Sequence, residues 1–451
     1  MGKQLLFDTL KGKETVRPPW VPFAGIHAGK LTGYNAIELL TKKDALLESL
    51  LEVHKLYKPD GQPIIFDLQV EAEILGCDLF WSASTPPTVS SHPLKDRKEV
   101  PCLCKVPSKD SGRLPLILEV MEEMKKRVGE ETALYGLICG PFTLASHLRG
   151  TTIFMDMFDD PDFVKELIHF AGEVGKAMAK MYIEAGMDII AVVDPLVSQI
   201  SPTHFNEFMR DTFTDLFEDI RKQKAYSSFF VCGDATKNIE VMCQTKPDSI
   251  SVDENIDILK AKEITDQYNL TIGGNIPLTT VMLHGSQMDN IKYAVDLLDQ
   301  LDKFQHFILS PGCDMPYDTP VENTIGVSQA AIEFKQMKET VKDYTSTDYS
   351  SIKIDLPDYT NLQKPLIEAF TLDSDSCAAC TYMWGLVTDV KEELQDDIDI
   401  IEYKFTSKEA IARCIKMGVK NLPSVYINGK LAYSSIIPTK QELIDKIKES
   451  L

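Results

Sequence analysis

The chain has 451 residues, 44% of them hydrophobic and 25% charged, which fits a soluble globular protein of two or three domains. A formal net charge of −21 excludes a nucleic-acid surface, which needs a dense Lys/Arg field. No uninterrupted apolar run reaches the ~18 residues that would cross a bilayer, so neither nucleic acid nor membrane is an expected partner. The opening MGKQLLFDTLKGKE lacks the apolar core of an export signal. Ten cysteines in such a chain imply reduced thiols in the cytoplasm, used for packing, metal or redox work.

Eight short apolar runs precede residue 315: 19–25, 62–68, 132–140, 187–195, 227–234, 248–254, 270–276 and 306–312. Most are continuous rather than alternating, as in parallel strands buried on both faces. Amphipathic stretches separate them. Residues 203–223 carry Phe205, Phe208, Met209, Phe213, Leu216, Phe217 and Ile220 at helical spacing, after the start signal Ser201-Pro202-Thr203. Residues 288–301 repeat the pattern. Cys102 and Cys104 are expected on a strand, where alternation sends them to opposite faces. This alternation of strand and helix predicts an α/β fold, a (β/α)8 TIM barrel over residues 1–341, with a doubly wound sheet as the alternative.

Residues 342–362, rich in Ser, Thr, Asp and Tyr, carry no sustained period and read as a linker. A second, small α/β domain is expected over 363–451. Strands at 367–372 and 397–405 alternate with helices after Cys377 and at 407–418. A hairpin turns at Asn428-Gly429, and a closing helix is capped by Thr439 with Glu442 in the capping-box position.

Two cysteine pairs carry the chemistry. Cys232 and Cys313 each sit where an apolar run gives way to a loop, in SSFFVCGD and HFILSPGCD. Two soft thiolates at the ends of two barrel strands suit zinc. Cys377 and Cys380 form a Cys-x-x-Cys at a helix start, where the helix dipole and free N–H groups stabilise a thiolate. Cys377 would attack and Cys380 would resolve the mixed disulfide. Cys77, Cys139, Cys243 and Cys414 are expected to serve packing.

The C-terminal domain resembles the thioredoxin and glutaredoxin fold. The resemblance rests on Cys377-x-x-Cys380 after the first strand and on Leu422-Pro423-Ser424 before the hairpin. It implies a cis Pro423 facing the cysteines. The intervening Ala378-Ala379 differs from the Gly-Pro of thioredoxin, and Ser376 stands where thioredoxin has tryptophan.

The first 340 residues resemble the uroporphyrinogen decarboxylase superfamily, and within it the corrinoid-dependent methyltransferases. The matching segments include IIFDLQVEAEILGCDLFW (64–81), GLICGPFTLASHLRG (136–150), MDIIAVVDPLVSQISPTHF (187–205), VCGDATKNIEVM (231–242) and FILSPGCDMPYDTPVEN (307–323). The decarboxylases grip their carboxylate-rich tetrapyrrole with N-terminal arginines. Here that segment, PFAGIHAGKLTG (22–33), has none, and arginine is the residue best suited to bidentate carboxylate capture. The methyltransferases hold zinc with His-x-Cys after the fifth strand and a cysteine in the PGCD turn. Cys232 and Cys313 match those cysteines, while Phe230 replaces the histidine.

His27 is the expected third ligand, beside Asp194, Glu71 and Glu73 as alternatives, and Asp67 and Asp194 are the expected catalytic carboxylates. The resemblance implies zinc and a corrinoid (methylcobalamin on a partner protein) as cofactors. The expected partners are that corrinoid protein and a small thiol or related methyl acceptor, and the reading is compatible with a homodimer. A decarboxylase-like lyase is the alternative reading. Another is a corrinoid-binding barrel whose only chemistry is the redox step.

Overall fold

The computed structural model describes residues 2–449 except Arg97 and Ser376, so the residue compared with thioredoxin's tryptophan lies outside the described residues. The chain divides into two compact units, 1–197 with 201–346, and 347–451 joined by 198–200.

In the first unit, seven parallel strands follow chain order in one sheet: β1 (Gly61–Pro63), β2 (Ala133–Cys139), β3 (Ile189–Val193), β4 (Tyr226–Val231), β5 (Ser249–Val252), β6 (Thr271–Ile276) and β7 (Phe307–Pro311). The residues of 19–21 join its two edges. The Val21 amide donates to Leu309 O (3.0 Å) and the Leu309 amide to Pro19 O (2.9 Å), while the Asp60 amide donates to Trp20 O (2.9 Å). Asp60 strengthens this seam by accepting from Arg17 Nη1 and from the Trp20 amide at 2.6 and 2.8 Å. The run expected over 62–68 is thus a strand only to Pro63. Its remaining residues turn toward the loop that carries Asp67.

Side chains on alternate positions fill the interior: Val21, Phe23, Phe66, Tyr135, Leu137, Val193, Phe230 and Ile308 form one buried cluster. Helices cover the outside. Pro161–Glu184 is capped by Asp160, whose side chain accepts from the Phe163 amide. The stretch 203–223 is two helices, Pro202–Phe208 and Arg210–Lys222, because Met209 (φ −122°, ψ −31°) leaves helical geometry. Phe205, Phe213 and Phe229 stack across this junction against β4, with ring centroids 4.4 Å apart for Phe213–Phe229. The break serves that packing. Cys102 and Cys104 are on no strand. Cys102 caps a one-turn 3-10 helix, Leu103–Lys105, and Cys104 is its middle residue.

In the second unit, β8 (Leu366–Thr371) lies between β9 (Asp399–Lys404), parallel to it, and β10 (Ser424–Ile427), antiparallel; β11 (Lys430–Ser434) completes the sheet. Asn428 and Gly429 take φ 49° and 74°, the left-handed values a two-residue hairpin requires. Thr439 and Glu442 form the capping box of Lys440–Lys448. The Leu422–Pro423 peptide is cis. Part of 342–362 is held by this unit: Arg413 and Lys416 donate to the carbonyls of Asp355 and Ile354. No helix among the described residues is long and apolar enough to cross a membrane.

Candidate active site

Cys232 follows the last residue of β4 and Cys313 comes two after that of β7. The parallel register brings both to the same, C-terminal rim of the sheet, where βα loops carry chemistry. Their Sγ atoms are paired as a disulfide, with Cα atoms 6.3 Å apart. That separation spans a disulfide and equally lets two thiolates converge on one ion. Both side chains are partly buried against the interior cluster. Phe230, two residues before Cys232, faces the same interior and packs on Phe23 (4.9 Å) and Phe66 (5.9 Å). The side chain that could have been a third donor is part of an aromatic floor.

Buried carboxylates surround the pair. Asp253 and Glu254 follow β5. Asp253 accepts from the amide of Gly233, next to Cys232, and from the Asn255 amide (2.9 Å). Burial raises Asp253 to about 6 and Glu254 to about 8, the latter helped by the Asp253 charge. Glu254 Oε2 lies against Gly312, where any Cβ would displace it. Asp314, next to Cys313, is the more exceptional case. Both its oxygens are buried with no hydrogen-bond partner of good geometry, and burial pushes its pKa well above the usual range. It lies over Gly25, whose missing Cβ makes the space it fills. A buried carboxylate with poorly satisfied oxygens is costly unless something else supplies the positive charge or the proton.

The structure redistributes the residues expected at this site. His27 is wholly buried on the short helix His27–Thr32. Its Nδ1 lies 3.0 Å from Tyr317 O and its Nε2 2.6 Å from the Tyr57 hydroxyl. A carbonyl only accepts, so Nδ1 carries the proton and Nε2 accepts from Tyr57. Burial lowers its pKa to about 4. Both ring nitrogens of His27 are thus engaged within the protein in this arrangement.

Asp194, buried after β3, accepts from the amides of Phe142 (2.8 Å) and Thr143 (3.1 Å) and from Thr143 Oγ1 (2.6 Å). It caps the helix Pro141–Arg149 from outside its sequence. Burial still raises it to about 7. Its oxygens are committed to these donors in the structure. Glu71 is buried, raised by burial to about 7, and accepts from the Cys139 amide at 3.0 Å. Asp67 accepts from Arg113 Nη1 (2.7 Å), and Arg113 Nε donates to Glu73 (2.7 Å). Asp67 is thus held at the rim by an arginine that sequence reasoning did not single out. Among the described residues no group of three or more His, Cys, Asp or Glu side chains is arranged to hold a metal ion.

In the second unit Cys377 is the N-cap of Ala378–Leu394, and its sulfur accepts from the Cys380 amide at 3.4 Å. Cys380 is fully buried. Its thiol is pushed well up, first by burial and then by its bond to Cys377, and it accepts from the Leu372 amide at 3.3 Å. Pro423 immediately precedes β10, which pairs with β8, the strand before the Cys377 loop. Cys77, Cys139, Cys243 and Cys414 are buried thiols whose pKa values burial raises, as packing residues should.

Residues 1–334 match the family model described as uroporphyrinogen decarboxylase (URO-D). The chain belongs to that family. A methylcobamide:CoM methyltransferase, MtbA, of Methanosarcina acetivorans is 28% identical over 273 residues, which are 60% of this chain and 78% of that one. A uroporphyrinogen decarboxylase of Prochlorococcus marinus is 26% identical over 72% of this chain and 96% of its own. The solved structure of a methyltransferase from Methanosarcina mazei superposes with a TM-score of 0.66 at 23% identity, covering 74% of this chain and 99% of that one, and shares the fold.

Proposed function

We propose that the first unit of this URO-D family member is a barrel that moves a methyl group between a corrinoid, carried by a partner protein, and a thiol or related acceptor. The second unit is proposed as a thioredoxin-like dithiol/disulfide module. The observation that carries the first reading is the convergence of Cys232 and Cys313 at the C-terminal rim, in a chain whose relatives include methylcobamide:CoM methyltransferases. Decarboxylation of a tetrapyrrole is disfavoured by the arginine-free segment 22–33.

Once the rim disulfide is reduced, the donor chemistry there suits zinc: two thiolates that meet at one point, with a poorly satisfied carboxylate on the next residue, cradled by Gly25. Cys232 and Cys313 would hold the ion, with Asp314 proposed for the third position. Bound there, zinc would lower the pKa of an acceptor thiol so that its thiolate exists near neutral pH. The protein's own groups do the rest. Phe23, Phe66 and Phe230 keep water from below the sulfurs and preserve the nucleophilicity of a desolvated thiolate. Glu254, raised to about 8 and packed against Gly312, is suited to take the proton the acceptor loses. Arg113 fixes Asp67 at the same rim.

The test uses purified full-length protein, metal analysis, and methyl transfer from free methylcobalamin to a panel of small thiols. One equivalent of zinc is expected. Cys313→Ala should lose most of it, and Asp314→Ala should weaken retention at least about tenfold against a chelator, in the range of a lost metal-supporting contact. Full zinc retention and full transfer in Cys313→Ala would overturn the proposal. Full retention in Asp314→Ala alone would reassign the third position.

A further inference from the structure

Outside the rim and the Cys-x-x-Cys helix, Cys102 and Cys104 form a third sulfur pair. Strand geometry would have parted them. The chain instead runs Pro101-Cys102-Leu103-Cys104-Lys105-Val106-Pro107, and the two prolines leave room for only a single turn between them. The Lys105 amide closes on Cys102 O (2.9 Å) and the Val106 amide on Leu103 O (3.2 Å). The turn folds the second cysteine back, so that the Cys104 amide donates to Cys102 Sγ at 3.2 Å.

Both cysteines are exposed, unlike the four packing cysteines. The neighbouring Cys104 thiol, then its amide, hold the Cys102 thiol below its ordinary range, and the nearness of Cys102 raises Cys104. Such a pair presents one thiol prepared to ionise, with the backbone of its neighbour folded onto it. Leu103, between them and 58% exposed, borders an open groove of about 580 Å³ lined also by Val106, Ala177 and Lys180, which gives a substrate room to approach.

We propose that Cys102-Leu103-Cys104 is a surface redox site that exchanges with a disulfide substrate, separate from both other cysteine pairs. Cys102 Sγ, as thiolate, attacks one sulfur of R–S–S–R′ to form a Cys102–S–S–R mixed disulfide and releases R′S⁻. Cys104 Sγ then attacks the Cys102 sulfur, forming the Cys102–Cys104 disulfide and releasing RS⁻. The two cysteine protons pass to the two leaving thiolates, and two electrons pass from the pair to the substrate. The substrate is a disulfide, either of a small molecule or of a protein dithiol such as Cys377/Cys380. The inference does not depend on the methyl-transfer reading.

Cleavage after Lys98 and Lys105 releases a peptide, Glu99–Lys105, that contains these two cysteines and no other. The full chain, and the chain carrying Cys377→Ser with Cys380→Ser, are equilibrated with oxidised and reduced glutathione, quenched, alkylated and mapped by mass. The expected result is that the peptide loses two hydrogens and resists alkylation in oxidised glutathione, and takes two alkyl groups in reduced glutathione. Closure in both proteins identifies a small-molecule disulfide as sufficient. Closure only with Cys377 and Cys380 intact identifies the protein dithiol as the source. Closure in neither overturns the proposal, as does a peptide that only accumulates glutathione adducts. Cys104→Ser should trap glutathione on Cys102, while Cys102→Ser should react at Cys104 at least about tenfold more slowly, following thiolate fraction. Equal rates would overturn the assignment of Cys102 as attacking thiol.

Discussion

The rim pair and the helix pair place the same two atoms in opposite surroundings. Cys232 and Cys313 are 81 residues apart and meet only because a parallel sheet brings two strand ends to one rim. Cys377 and Cys380 are neighbours by helix geometry alone. The rim pair sits on an aromatic floor among buried carboxylates, and the helix pair has one half-buried and one wholly buried thiol at a helix start. A dry, acidic, sulfur-rich rim suits holding a cation. A helix N-terminus with a resolving thiol one turn on suits electron exchange.

Crossed variants break this comparison most directly. Cys313→Ala should lower methyl transfer by about a thousandfold or more, since a bound metal's charge is worth several kcal/mol to such a step. It should leave reduction of a protein disulfide intact. Cys377→Ser should do the reverse, abolishing disulfide reduction with methyl transfer within about twofold, as expected for sites that share no partners. If Cys377→Ser removed methyl transfer from protein kept in reductant, the division of labour would be wrong.

Two arginines sharpen the comparison further. Arg113 in the first unit and Arg413 in the second each pair with a fully buried carboxylate, Asp67 and Glu368, and each has a side chain 12% exposed. Each also lies over a ring, Trp81 and Tyr403. They differ in what is left over. Arg413 spends Nη2 on Asp355 O, while Arg113 Nη2 is buried without a partner. Arg413 is therefore a structural tie. Arg413→Ala strands Glu368 with only Tyr359 as donor and should destabilise the second unit by about 3 kcal/mol. Hydrogen exchange across β8 would report that loss, with exchange across β2 unchanged.

Much of this could be read from residue order. Apolar runs marked the parallel strands, and local chemistry marked the caps at Ser201 and Thr439 and the turn at Asn428-Gly429, because each depends on near neighbours. The cysteines at strand ends were legible for the same reason. The roles of the carboxylates were not. Asp194 and Asp314 both follow strands within a few residues, yet one is saturated by the amides at 142 and 143 and the other has no hydrogen bond of good geometry. That difference is set by which backbone ends face each side chain across the sheet. The surroundings of His27 were not legible either, because its ring nitrogens meet Tyr57 and Tyr317, 30 and 290 positions away. The turn at 102–104 was misread because alternation was applied where two prolines forbid a strand.

The acidity of the rim gives the smallest and most specific effect. Glu71 is 1% exposed, and its pKa is about 7 in the folded chain against an ordinary 4.5. A carboxyl whose folded value is raised contributes its full share below the unfolded value and loses it as pH climbs through the folded one. Between pH 4.5 and 7 the unfolded chain releases this proton while the folded chain keeps it, so stability falls, by up to about 3 kcal/mol once both are ionised. Glu71→Gln keeps an oxygen for the Cys139 amide and removes the titration. The wild-type chain should therefore lose stability relative to Glu71→Gln as pH rises through this window, read as denaturant dependence of hydrogen exchange in β2. A constant difference between the two proteins from pH 4.5 to 8 would mean that water or a cation reaches Glu71. The first unit's rim would then be less dry than its contrast with the helix pair requires.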